Sequence, residues 1–246
     1  MYSLLAATGI LLAGCFETTE EVTINADGSG SYSTTNDMSA VMGMLKSMGG
    51  AEAEEMNKVK VDTIFSLAGH VDSIPSLSAE EKAMMKNGEM KMNIDVAGEK
   101  VVFSMKFPFK AVTDIPKYNA LASKLMGETM KKQMGGAEDN PIKDMPEQST
   151  MESYYELSFK NDQIKRKLNK DKYAGVGSDE YLTGMKEASQ MGIPITTTQV
   201  YNLPRPAKKA EGKNVTLSAD KKTVTVKSSL NDFFDDGKNL EFEIEY

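Results

Sequence analysis

The chain has one thiol, Cys15, and it closes the tetrapeptide Leu12-Ala13-Gly14-Cys15. A leucine, a small residue, a glycine and then cysteine is the pattern at which bacteria attach a diacylglyceryl group to the sulfur. They then cut between Gly14 and Cys15 and acylate the new amine. The chemistry expected of Cys15 is therefore lipid attachment, palmitate being a typical acyl group. The run Leu4–Ala13 before the motif carries no charge. Its ten residues would make a helix of roughly 15 Å, about half of a ~30 Å hydrocarbon core. That length suits the apolar part of a signal peptide better than a spanning helix. Met1-Tyr2-Ser3 departs from the pattern in having no Lys or Arg. Residues 1–14 are read as a signal peptide.

Other chemistry-bearing residues are sparse. His70 is the one histidine, so a Ser-His-Asp or Cys-His arrangement would have to be built on it. No serine sits in a G-x-S-x-G turn, and His70 reads as a surface or loop residue. One His and no second Cys make a zinc site improbable. Asp232, Asp235 and Asp236 precede Gly237, but calcium loops place oxygen ligands at alternate positions and Phe233-Phe234 intervene. A turn between Leu230 and Leu240 accounts for them better. No G-x-x-x-x-G-K phosphate cradle occurs. Paired carboxylates for glycoside hydrolysis come from distant positions, and the pattern singles none out.

The chain's 18 methionines are the compositional oddity. Thioethers suit Cu(I), and Met42-x-Met44, Met84-Met85 and Met90-x-Met92 have copper-like spacings. Yet Met90 and Met92 share a strand face with Ile94 and Val96, and Met126, Met130 and Met134 recur every four residues on a helix. Core packing explains both, with a greasy ligand groove as the other use of so adaptable a side chain. No cofactor, metal or catalytic residue is assigned, and the protein is not expected to be an enzyme.

At 40% hydrophobic and 26% charged residues the composition is that of a globular protein. The net charge is −7, and of 29 basic residues only Arg166 and Arg205 are arginines. Arg is the favoured residue for bidentate phosphate and base recognition, so nucleic acid is not an expected partner. Without a second cysteine the fold depends on its core alone in an oxidising compartment.

Period-two alternation marks half-buried antiparallel strands. Val22 and Ile24 lead through Asp27-Gly28-Ser29-Gly30 to Tyr32. Met90–Val96 and Val101–Phe109 flank a turn at Ala97-Gly98. Tyr155–Phe159 faces Ile164–Leu168 across Asn161-Asp162, and Val215–Leu217 faces Val224–Val226 across Asp220-Lys221. Val61–Leu67 and Leu240–Tyr246 read as further strands. Helical spacing interrupts them at Met38–Met48 with Asn36 or Asp37 as N-cap, after the Ser78/Glu81 capping box, at about Pro116–Met134, and at about Ser178–Met191. Gly135–Ser149 reads as a surface connection.

The expected fold is α+β, a twisted antiparallel sheet of hairpins with about four helices on one face. The expected divisions are a lipidated tether at 15–21, an α+β domain at 22–202 and an all-strand module at 203–246. Such a tether reaches at most about 25 Å from the bilayer.

The lipobox with Phe16-Glu17, the Thr-rich strand after it, the Asp27-Gly28-Ser29-Gly30-Ser31-Tyr32 hairpin and the Met-rich helix resemble uncharacterised envelope lipoproteins of the Bacteroidota type. The tail, with Leu203-Pro204 and Ser218–Val226, is similar to their closing module. The resemblance implies a cell-envelope location, periplasmic or surface-facing. In the sorting system it implies, Asp after the cysteine favours inner-membrane retention, and Phe16 instead favours the outer membrane. The expected role is a non-enzymatic binding or assembly module, anchored in the membrane through acyl chains on Cys15 and partnered by another envelope protein. A carrier of a lipid or other hydrophobic ligand in a Met-lined cavity is the alternative, and a carboxylate-based hydrolase the third reading.

Overall fold

Alternating side chains build twelve strands within the residues that the computed structural model describes, 16–39, 58–134, 149–190 and 194–246. They are β1 (Phe16–Ile24), β2 (Gly30–Asp37), β3 (Lys60–Ser66), β4 (Glu89–Asp95), β5 (Lys100–Phe109) and β6 (Tyr155–Lys160), followed by β7 (Gln163–Leu168), β8 (Ile195–Asn202), β9 (Lys209–Gly212), β10 (Val215–Leu217), β11 (Thr223–Ser229) and β12 (Phe242–Glu245). The described helices are α1 (Ala79–Met85), α2 (Ile115–Met134), α3 (Lys170–Tyr173), α4 (Glu180–Gln190) and α5 (Leu230–Asp235). None of them is long and apolar enough to cross a membrane.

The fold is α+β. One sheet runs β10-β11-β8-β1-β2-β5-β4-β3 and a second runs β6-β7-β12-β9. The hairpins read from alternation all form. The large sheet is mixed rather than purely antiparallel, because β1 and β8 pair in parallel. A parallel pair needs a long crossover, which local alternation cannot announce. The second sheet and α2 pack on the same face of the large one. Phe159, Ile164, Phe242 and Ile244 share a core with Val22, Ile24, Tyr201 and Val224, and Tyr118, Leu121 and Leu125 of α2 join it beside Phe107. A smaller cluster gathers Tyr155, Leu182, Ile195, Leu230 and Phe233 around α4 and α5.

Three boundaries need correction. Strand β1 starts at Phe16 rather than Val22, so residues 16–21, expected as a tether, are paired with β2 on one side and β8 on the other. The tail at 203–246 is not all strand. It contains α5, and it is divided between sheets, with β10 and β11 in the large one and β9 and β12 in the second. The Asp232–Gly237 stretch is a helix end and not a simple turn: Ser229 Oγ accepts from the Asp232 backbone N–H (3.0 Å), and Asp236 caps the 3-10 turn Gly237–Leu240. Side-chain capping decided this locally.

The Ser78/Glu81 capping box forms in both directions, at 2.7 and 3.2 Å. Lys124 of α2 donates to Glu81 at 3.0 Å, tying the two helices together. The signal segment with Cys15, the predicted Met-rich helix beyond Ser39 and most of the Gly135–Ser149 connection lie outside the described residues. Asn36 belongs to β2 and faces the inside of the sheet, while Asp37 accepts from the Ser39 N–H at 2.9 Å.

Gly30 shows how tightly β1 and β2 close. A Cβ there would collide with the Thr23 carbonyl oxygen and come within 2.6 Å of Phe109 Cζ. Gly30→Ala is therefore expected to cost about 2 kcal/mol through overpacking. Urea unfolding checks this, and a midpoint equal to wild type would contradict it.

Candidate functional site

Three adjacent central strands carry polar residues where the sheet should be dry. Inward positions on β1 are Thr18, Glu20, Val22 and Ile24, two residues apart as the pleat requires. Register places Asn36, Thr18 and Thr197 in one row across β2, β1 and β8, and Thr34, Glu20 and Gln199 in the next. Tyr32, Val22 and Tyr201 follow, and from there the face is the apolar core. One end of the inner face is thus built of hydrogen-bonding groups.

Helix α2 covers that end with Asn119 and Ala122, α4 with Leu182 and Met185, and the segment before β6 with Ser149 to Glu152. They enclose a partly open cavity of about 140 Å³. Two methionines, Met151 and Met185, are among its lining residues. A cavity of about 150 Å³ holds benzene, so an acyl chain does not fit. Among the described residues this cavity is smaller than the several hundred Å³ expected of a lipid carrier's site.

Glu20 is the central group. The Tyr32 hydroxyl (3.1 Å) and Asn119 Nδ2 donate to Oε1, and Gln199 Nε2 donates to Oε2 (2.7 Å). Burial, with the negative charge of nearby Glu152, pushes its pKa from 4.5 up to about 7. The same environment, burial first and Glu20 second, holds the Tyr32 hydroxyl well above its ordinary value.

Arg166 on β7 lies behind the cavity and is 1% exposed. It donates from Nε to the Leu240 carbonyl (2.6 Å), from Nη1 to Gln199 Oε1 (3.1 Å) and from Nη2 to Ser228 Oγ (2.9 Å). Its Cζ lies 4.8 Å from the centre of the Phe242 ring and 5.3 Å from that of Tyr155. Nη1 is 3.7 Å from Glu152 Oε1, so the guanidinium is the counter-charge of Glu152. Through Gln199 it also orients a donor to Glu20.

Two cavity residues keep unused hydrogen-bonding capacity. Thr34 is 4% exposed, and its hydroxyl has no hydrogen-bond partner among the described residues. Asn36, 8% exposed, accepts from Thr18 at 3.0 Å through Oδ1, while its Nδ2 is likewise unpartnered. Both face the partly open cavity, whereas the fully buried side-chain polar atom without a partner among the described residues is Thr183 Oγ1.

The residues singled out from sequence fall elsewhere. His70 is exposed between two 3-10 turns, its ring 5.1 Å from Phe65. Met85 is in the core, with Met84 and Met90 packed against it. Asp232 is engaged by Ser229, Lys213 and Asn214. Among the described residues no group of three or more His, Cys, Asp or Glu could hold a metal ion. The carboxylate pair that the pattern could not single out is Glu20 and Glu152, which line one cavity. A signal for half of it existed: Thr18 and Glu20 occupy the same alternation as Val22 and Ile24.

No protein-family model matches the chain, and no curated protein sequence matches it. Among solved structures it is similar to the folded domain of the Mycobacterium tuberculosis LppM protein, determined by NMR, at 8% identity and a TM-score of 0.42, over 94% of this chain and 90% of that one.

Proposed function

We propose that this protein is a lipid-anchored component of the bacterial cell envelope, held through Cys15 at the outer membrane, that binds a small polar ligand in the cavity around Glu20. The observation that carries the binding reading is the polar row on the inner face of adjacent strands, where Thr18, Glu20, Thr34 and Asn36 line one cavity. A closed structural core has no use for such a row, whereas a ligand in the cavity supplies partners for it. Cys15 adjoins the first residue of β1. Acyl chains there contribute about 0.8 kcal/mol per buried CH₂ and would hold the sheet within a residue of the bilayer.

Two measurements test this. Alkyne fatty-acid labelling should mark the wild-type chain and not Cys15→Ser, which should leave the membrane fraction; an unlabelled wild type removes the anchor. Ligand-observed NMR of the full chain against a panel of small polar metabolites should yield binders that Thr34→Val weakens several-fold. Binders indifferent to Thr34→Val would place the site elsewhere.

The convergence of Glu20 and Glu152 favours a second reading, acid–base hydrolysis with Glu20 as proton donor and Glu152 activating water. Turnover of chromogenic glycosides that Glu152→Gln abolishes would favour it over binding alone.

A further inference from the structure

The binding reading can be taken further, to the charge of the ligand. We infer that the cavity takes a small molecule carrying a protonated amine beside hydroxyl groups, its ammonium facing Glu20 and Glu152 and its hydroxyls meeting Thr34 and Asn36. Size comes first: about 140 Å³ accommodates roughly six heavy atoms, the benzene scale.

Charge decides the class. Glu20 and Glu152 are the charged residues among the described lining, which includes no Lys, Arg or His. Arg166 compensates Glu152 at 3.7 Å and its other donors are taken by Leu240, Gln199 and Ser228. Glu20 has three neutral donors and no cation of its own. Once ionised it leaves one uncompensated negative charge in a poorly solvated space, which a monocation neutralises and an anion aggravates. The Asn36 amide can donate to a ligand oxygen, and the Thr34 hydroxyl can donate or accept, which places hydroxyls beside the amine.

This predicts a pH signature. Glu20 is faced by Tyr32 on β2, Asn119 on α2, Gln199 and Tyr201 on β8, Glu152 before β6 and Arg166 on β7. Together they set its pKa at about 7, with burial the main cause. At pH 6 roughly a tenth of Glu20 is ionised and at pH 8 roughly nine tenths, so affinity for a cation rises about tenfold and a proton is released on binding.

The experiment titrates the full chain in detergent micelles, by saturation-transfer NMR, with three probes of one size: 3-amino-1,2-propanediol, glycerol and glycerate. The amine is expected to bind at least tenfold tighter than glycerol, and about tenfold tighter at pH 8 than at pH 6, with no binding of glycerate. Glu20→Gln, nearly isosteric, should remove both the preference and the pH dependence, and Glu152→Gln should reduce the preference with its fold checked by amide NMR. Glycerol or glycerate binding as tightly as the amine would overturn the inference and leave the binding reading standing. Failure of all three probes, while other small polar metabolites bind and respond to Thr34→Val, overturns the inference alone. Failure of every compound removes both.

Discussion

Arg166→Met is expected to destabilise the protein by about 3–5 kcal/mol, the largest effect of any single substitution considered. Methionine fills much of the guanidinium's volume, so the loss comes from the groups left behind. The Leu240 carbonyl, Gln199 Oε1 and Ser228 Oγ lose their donor at once, and Glu152 loses its counter-charge. The faces of Phe242 and Tyr155 lose a cation held within 4.8 and 5.3 Å. Because Arg166 belongs to the second sheet and Gln199 and Ser228 to the large one, the variant weakens the joint between them. Urea unfolding at pH 7 measures the loss, and a value below about 1 kcal/mol would show that the guanidinium does not hold the sheets together. Adding Glu152→Gln should recover part of it, since the orphaned charge then disappears.

The second large effect is a pH dependence that belongs to Glu20. The folded protein holds its proton more tightly than the unfolded chain, with a pKa of about 7 against 4.5. Its contribution is therefore full below pH 4.5 and is lost as the pH rises to about 7. At about 1.36 kcal/mol per pH unit the difference approaches 3 kcal/mol, and solvent entering the cavity reduces it to on the order of 2 kcal/mol. Glu20→Gln cannot titrate. The expected result is that its stability, relative to wild type, rises by that amount between pH 4.5 and 7. Parallel curves for the two proteins would contradict the buried-acid assignment.

The legible parts of the fold were those decided by neighbours in the chain. The β4–β5, β6–β7 and β10–β11 hairpins close over short turns, and their apolar faces alternate without interruption. The helix α2 announces itself by Tyr118, Leu121 and Leu125 on one side. Strand β1 was half legible. Its apolar end, Val22 and Ile24, follows the rule, but Thr18 and Glu20 break it at the same inward positions and shortened the strand as read. A local rule broken inside an otherwise regular element is where a site is expected, and here the break is the cavity floor.

By itself the sequence determined the class of the fold and most of its hairpins and helices, and it supplied the motif on which the proposed anchor rests, Leu12-Ala13-Gly14-Cys15. Each of these depends on residues within a few positions of one another. Only the tertiary structure decided that β8 lies parallel to β1, which sets Gln199 against Glu20 across 179 residues of chain. It also decided that Arg166 stands behind both, and that Glu152 shares their cavity. The physical reason is that a parallel pairing and a buried charge network are formed between distant segments. Their energy comes from burial and from partners that no local pattern contains.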